Sequence, residues 1–97
     1  MQIIGLDIIS AFINAYPDSK ASLESWVAHV KSMEWKTPYE VTQSYRTADP
    51  VKNNRVVFDM QHNKYRLVVK INYSYKIIEV RFVGTHKEYD RIDAETV

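Results

Sequence analysis

Arg66, His86 and Tyr89 are the residues of this 97-residue chain whose types and spacing best suit reactive chemistry. Imidazole is the side chain that ordinarily titrates near neutral pH, which makes His86 the acid–base candidate. Tyr89 follows three positions later, so on a helix its phenol stands one turn from the imidazole and on the same side. Arg66 carries a planar guanidinium able to hold two oxygens of one phosphate. The three supply proton transfer next to an anion-binding group. Thr85 and Glu88 bracket His86 as a capping box, so a short helix is expected to start there.

The distribution of charge indicates which anion. Thirteen Lys and Arg against twelve Asp and Glu leave a formal charge of +1, which by itself argues for no particular partner. Residues 52–87, however, hold eight basic and two acidic residues, a net +6, and the rest of the chain carries −5. The basic set is Lys52, Arg55, Lys64, Arg66, Lys70, Lys76, Arg81 and Lys87. Cations beside Tyr65, His86 and Tyr89 combine phosphate binding with stacking rings, the pairing that single-stranded RNA recognition uses. The same pattern also fits a solvated antiparallel face, and edge lysines discourage unwanted strand pairing.

Those residues need a scaffold. Ile9, Phe12, Ile13 and Tyr16 recur at helical spacing until Pro17 ends the run. Asp18 or Ser19 can cap a second helix with Leu23, Trp26, Val27, Val30 and Met33 on its apolar side and Lys20, Glu24, His29, Lys31 and Glu34 on the other. Thr37-Pro38-Tyr39-Glu40 opens a third, short helix, and Thr47 to Asn54 reads as a loop. After Asn54 the apolar period changes to 2. Arg55–Met60, Tyr65–Tyr73 and Ile77–Val83 are rich in β-branched and aromatic residues and are separated by QHNK and SYK, which predicts an antiparallel meander. Alternation turns Val56, Phe58, Met60, Leu67, Val69, Ile71, Ile78, Val80 and Phe82 toward the helices. The outer face then holds Arg55, Asp59, Lys64, Arg66, Lys70, Glu79 and Arg81, with Val57, Val68 and Val83 between them.

The expected fold is therefore α+β: N-terminal helices on one face of a small antiparallel sheet, then a short C-terminal helix, as one domain over residues 1–97. A chain of this length buries roughly 60 to 65% of its unfolded surface, enough for one core. With no cysteine, disulfides, thiolate nucleophiles and Cys-ligated zinc are excluded. Only Gly5 and Gly84 occur, so neither phosphate-cradling glycine motif can be written. His29, His62 and His86 are scattered without metal-ligand spacing, and no metal or other cofactor is expected. The apolar stretch Met1–Ile9 is too short for a membrane span and has no basic lead, so the chain reads as cytoplasmic without membrane contact.

Three runs carry a family likeness: Asn53-Asn54-Arg55-Val56-Val57-Phe58, Asn63-Lys64-Tyr65-Arg66-Leu67-Val68-Val69, and Arg81-Phe82-Val83-Gly84-Thr85-His86-Lys87-Glu88-Tyr89-Asp90. With Trp26, Trp35-Lys36-Thr37-Pro38 and Ile92-Asp93-Ala94-Glu95-Thr96-Val97, the chain resembles the HigB-type toxins of bacterial toxin–antitoxin modules over nearly its whole length. The resemblance implies a RelE-like fold and an mRNA endonuclease acting on ribosome-bound message. It also implies a HigA-like helix-turn-helix antitoxin, with operator DNA bound only through that antitoxin. RNA can be cut without a metal when its 2′-hydroxyl attacks the adjacent phosphorus, which needs a base, an acid and cations around the phosphorane. In that setting Arg66 grips the phosphate, while Arg55, Asn63, Lys64, Arg81 and Lys87 contact RNA. His86 is a base, a phosphate-orienting group or a structural cap. Tyr89 is an acid, a base-stacking ring or packing for the last helix. A non-catalytic RNA- or ribosome-binding module on the same face is the alternative from another class, and a purely structural interaction domain is a third.

Overall fold

The computed structural model describes residues 1–97 and is an α+β fold. Strand β1 (Gln2–Ile4) leads to α1 (Leu6–Ala15), a 3-10 turn (Pro17–Ser19), α2 (Lys20–Lys31) and α3 (Pro38–Ser44). Strands β2 (Asp49–Val51), β3 (Arg55–Met60), β4 (Tyr65–Asn72) and β5 (Ile77–Thr85) follow, and α4 (His86–Tyr89) comes next. No helix is long and apolar enough to cross a membrane.

The sheet has five strands in the order β1-β5-β4-β3-β2, two more than the meander read from the sequence. Both additions are three-residue edge strands, too short to display an alternating pattern. β1 runs parallel to β5, so the sheet is mixed rather than wholly antiparallel. Gly5 makes the reversal from β1 into α1 at φ 96°, and a Cβ there would stand 3.0 Å from the Val80 Cβ. β2 contains Pro50, which an edge tolerates because one side of the strand needs no N–H donor. Of the caps, Thr37 accepts from the Glu40 N–H as its sequence signature predicts. Ser19 makes no side-chain cap, because the 3-10 turn runs directly into α2.

The core stripe follows the alternation up to one irregularity. Val56, Phe58, Met60, Leu67, Val69, Ile71, Ile78 and Val80 are buried against Phe12, Leu23, Trp26, Val30 and Val41 from the helices and Trp35 from the α2–α3 connection. Trp26 and Trp35 both pack against Phe58, with ring centroids at 5.4 and 6.4 Å. Phe82 departs from the expected pattern. The β4–β5 register steps from Val69↔Val80 to Val68↔Phe82, leaving Arg81 as the extra residue of a bulge. Beyond that step the faces of β5 exchange. Val83, opposite Leu67, packs on the core, while Phe82, opposite Val68, moves to the outer face and lies against Gly84.

Candidate functional site

The site lies where β4 begins and β5 ends. Pairing of Met60 with Tyr65 sets Asp59 opposite Arg66, and on the other side Arg66 faces Gly84. Thr85 then caps α4 reciprocally with Glu88, the capping box expected from the sequence. That one-turn helix returns over the sheet and places the Tyr89 ring 5.6 Å from the guanidinium carbon of Arg66.

Arg66 is the best-held cation of the site. Its Nη1 donates to the Asn63 side-chain oxygen and forms an ion pair with Asp59 Oδ1. Its Nε and Nη2 donate to no protein acceptor, so one edge of the guanidinium is left for an anion. The side chain is 17% exposed, so solvent screens it less than a free surface arginine. Asn63 reaches Arg66 from a turn in which Gln61, His62 and Asn63 all take positive φ. Asn tolerates that conformation better than most residues, and the glutamine and histidine before it are strained.

His86 is the first residue of α4 and is half-buried, and its ring makes no hydrogen bond or ion pair within the chain. Asp90 approaches only through its backbone, donating to the His86 carbonyl at 3.0 Å. Lys87 on the same turn is exposed and unpaired. The fold thus gathers Arg66, Asn63 and Tyr89, with His86 and Lys87 on the helix that carries Tyr89.

Other residues of the expected RNA face are engaged elsewhere. Lys64 pairs with Asp18 from the 3-10 turn. Tyr65 is 2% exposed, packs with Phe12 and Tyr16, and donates to Asp18 at 2.6 Å, so its ring is core and not a stacking surface. The hydrogen bond from Lys64, then that from Tyr65, hold the Asp18 carboxyl below its ordinary range. Accepting from the same partners, the carboxylate pushes the Lys64 ammonium and the Tyr65 phenol up. Arg55 and Arg81 bind the C-terminal segment: Arg55 Nη2 and Arg81 Nε donate to the Val97 oxygen at 2.8 and 3.1 Å. Asn53 Nδ2 holds the Glu95 oxygen at 2.8 Å, and Arg81 also pairs with Glu79. The outer face is consequently no open cationic plane. Val57 and Val68 on it are buried as well.

Asp59 belongs to the site and was not singled out by residue type. The signal was available: a hairpin centred on His62-Asn63 sets Asp59 across from Arg66 as soon as Met60 and Tyr65 pair. His29 bonds to the Tyr45 hydroxyl at 2.7 Å, outside the site. No three His, Asp or Glu side chains converge as a metal-ligand set.

Comparison with known proteins adds two findings. Residues 19–92, about three quarters of the chain and all of the site, match the HigB_toxin family model, described as the RelE-like toxic component of a toxin–antitoxin system. The chain is also similar to the mRNA interferase HigB of Escherichia coli O6:H1 (strain CFT073), at 29% identity over 79 residues, covering 79% of this chain and 77% of that protein.

Proposed function

The chain belongs to the HigB family of RelE-like toxins, and from that premise we propose that it is an mRNA interferase that cuts ribosome-bound message without a metal ion or cofactor. The scissile phosphate docks on the free Nε and Nη2 edge of Arg66 as a bidentate anion. His86 takes the proton from the ribose 2′-hydroxyl, which attacks the phosphorus in line. The Tyr89 phenol gives its proton to the departing 5′-oxygen. One P–O bond forms and one breaks, leaving a 2′,3′-cyclic phosphate and a 5′-hydroxyl. Arg66 stabilises the charge that builds on the non-bridging oxygens. Lys87 and Asn63 flank the docked strand.

The observation that carries this reading is the cation–π contact of Arg66 with the Tyr89 ring at 5.6 Å, with a free guanidinium edge beside it. The small net charge and the engagement of Arg55, Lys64 and Arg81 within the chain favour weak binding to naked RNA. A ribosome that presents the message supplies the affinity the protein lacks, and places the work in the cytoplasm. The cognate antitoxin is a HigA-like helix-turn-helix protein, and operator DNA is bound only through it.

Inducible expression with and without the antitoxin, followed by mapping of RNA ends, tests the proposal. New ends bearing 2′,3′-cyclic phosphate on translated messages, absent when the antitoxin is co-expressed, are the expected result. Growth arrest with intact messages points instead to a non-catalytic ribosome binder.

A further inference from the structure

We propose that Asp59 is a positioning residue for Arg66, acting on cleavage through the guanidinium and not on RNA directly; this rests on the mRNA interferase reading above. A carboxylate here is electrostatically unhelpful for a phosphate site. It offsets part of the positive charge that Arg66 offers and repels the incoming strand. Its use lies in geometry. Asp59 Oδ1 and the Asn63 side-chain oxygen both take Nη1 of Arg66, so the group is held by one corner. The same group sits over the Tyr89 ring, its carbon 5.6 Å from the ring centroid. Fixed at a corner and against a ring, the plane has one edge left, Nε with Nη2, and that edge is the bidentate one. Arginine otherwise has several rotatable bonds and would reach the phosphate in many poses, at an entropic cost recovered only if its orientation is set beforehand.

Asp59 is well placed for the task because neither its strand position nor its partner depends on a flexible loop. It sits opposite Arg66 in the β3–β4 ladder, and its side chain is 28% exposed. A surface ion pair made only for stability would leave turnover unaffected when removed. A positioning carboxylate gives a distinctive split. Asp59→Asn removes a negative charge from the phosphate site, so RNA binds as well or better, while the loosened guanidinium meets the phosphate in the wrong pose and catalysis slows.

The test compares the full-length parent, Asp59→Asn, Arg66→Ala and the double variant in steady-state cleavage of message on programmed ribosomes. Side-chain 15N spectra of the Arg66 guanidinium accompany the kinetics. The expected result is a kcat about 10- to 100-fold lower for Asp59→Asn with KM unchanged or reduced. Asp59→Asn is expected to have no further effect in the Arg66→Ala background. The Nη signals of Arg66, distinct in the parent, are expected to average in Asp59→Asn. An unchanged kcat, a raised KM with kcat intact, or an equal loss on the Arg66→Ala background overturns the proposal. So does a rate loss that tracks the fraction unfolded. The 15N readout needs no cleavage: a parent that cuts no RNA refutes the interferase reading, whereas averaged Nη signals already in the parent refute the positioning role itself.

Discussion

The Arg66 guanidinium carbon and the centre of the Tyr89 ring lie 5.6 Å apart, joining the second residue of β4 to the last residue of α4. The proposed mechanism gives Tyr89 two separable roles, because a cation over an aromatic face needs only the ring, whereas acid catalysis needs the hydroxyl.

Tyr89→Phe should therefore keep the cation–π contact and lose the acid. Cleavage of message on ribosomes is expected to fall about 10²- to 10⁴-fold, with stability within about 0.5 kcal/mol of the parent. Tyr89→Ala removes both roles and should cost about 0.5–1 kcal/mol more in unfolding free energy. Single-turnover cleavage and urea titration of the two variants check this. Equal rates for Tyr89→Phe and the parent remove the phenol from the mechanism and leave only a stacking ring.

His86 opens α4 but does not cap it. The cap is made by Thr85 and Glu88, which bond reciprocally, so the helix start does not depend on the imidazole. His86→Ala is accordingly expected to leave the melting temperature nearly unchanged and to lower the cleavage rate about 10²- to 10⁴-fold. Cleavage within tenfold of the parent would show that the base lies elsewhere. Thr85→Ala is the control for a structural origin, since losing the cap costs typically about 1 kcal/mol while the imidazole stays.

What was legible in the sequence divides along physical lines. The three long strands, the helix starts at Thr37 and Thr85 and most of the core followed from periodicity and capping chemistry, which are local. Phe82 was misplaced because a bulge at Arg81 exchanges the faces of β5, and a single inserted residue leaves no mark on alternation. β1 and β2 exist only through their pairing with longer strands. The cations divide in the same way. Arg66 meets Asp59 across a tight hairpin, a relation that counting residues exposes. Lys64 meets Asp18, 46 positions away, and Arg55 meets Val97, 42 away, so tertiary packing alone decides those partners.

Arg55 and Lys87 should respond in opposite ways when truncated. Arg55 is half-buried and donates to the Val97 and Asn53 oxygens, so Arg55→Ala removes charge-assisted hydrogen bonds and should destabilise by about 1.5–3 kcal/mol. Its effect on single-stranded RNA binding should be small once the folded fraction is accounted for. Lys87 is exposed beside the proposed site, so Lys87→Ala should leave stability within about 0.5 kcal/mol. The slope of log K against log salt should become shallower by about 0.7, the value for one phosphate on a single strand. Urea titrations and binding isotherms at several salt concentrations separate the two. A salt slope that changes for Arg55→Ala and not for Lys87→Ala would place the RNA track across the C-terminal segment instead.

The Asp18 cluster predicts how stability depends on pH. Hydrogen bonds from Lys64 and Tyr65 hold the folded-state pKa of Asp18 below its ordinary 3.8, and the unfolded chain has no such partners. A carboxyl depressed on folding stabilises the protein above the unfolded value, and that contribution is lost as pH falls through the folded one. Protonation there breaks the link between the 3-10 turn and the start of β4, next to Arg66. Asp18→Asn should thus lower the melting temperature near neutral pH and flatten its decline below about pH 4 relative to the parent. The Lys64 ammonium and Tyr65 phenol are shifted upward, so their contributions have the opposite sign. Both are complete below about pH 10 and decline as pH rises through the folded values. Thermal melts from pH 2 to 11 resolve both limbs. Identical acid limbs for the parent and Asp18→Asn would mean that the pair with Lys64 is as weak as its exposure to solvent allows, and that Tyr65 is held by its aromatic neighbours Phe12 and Tyr16 alone.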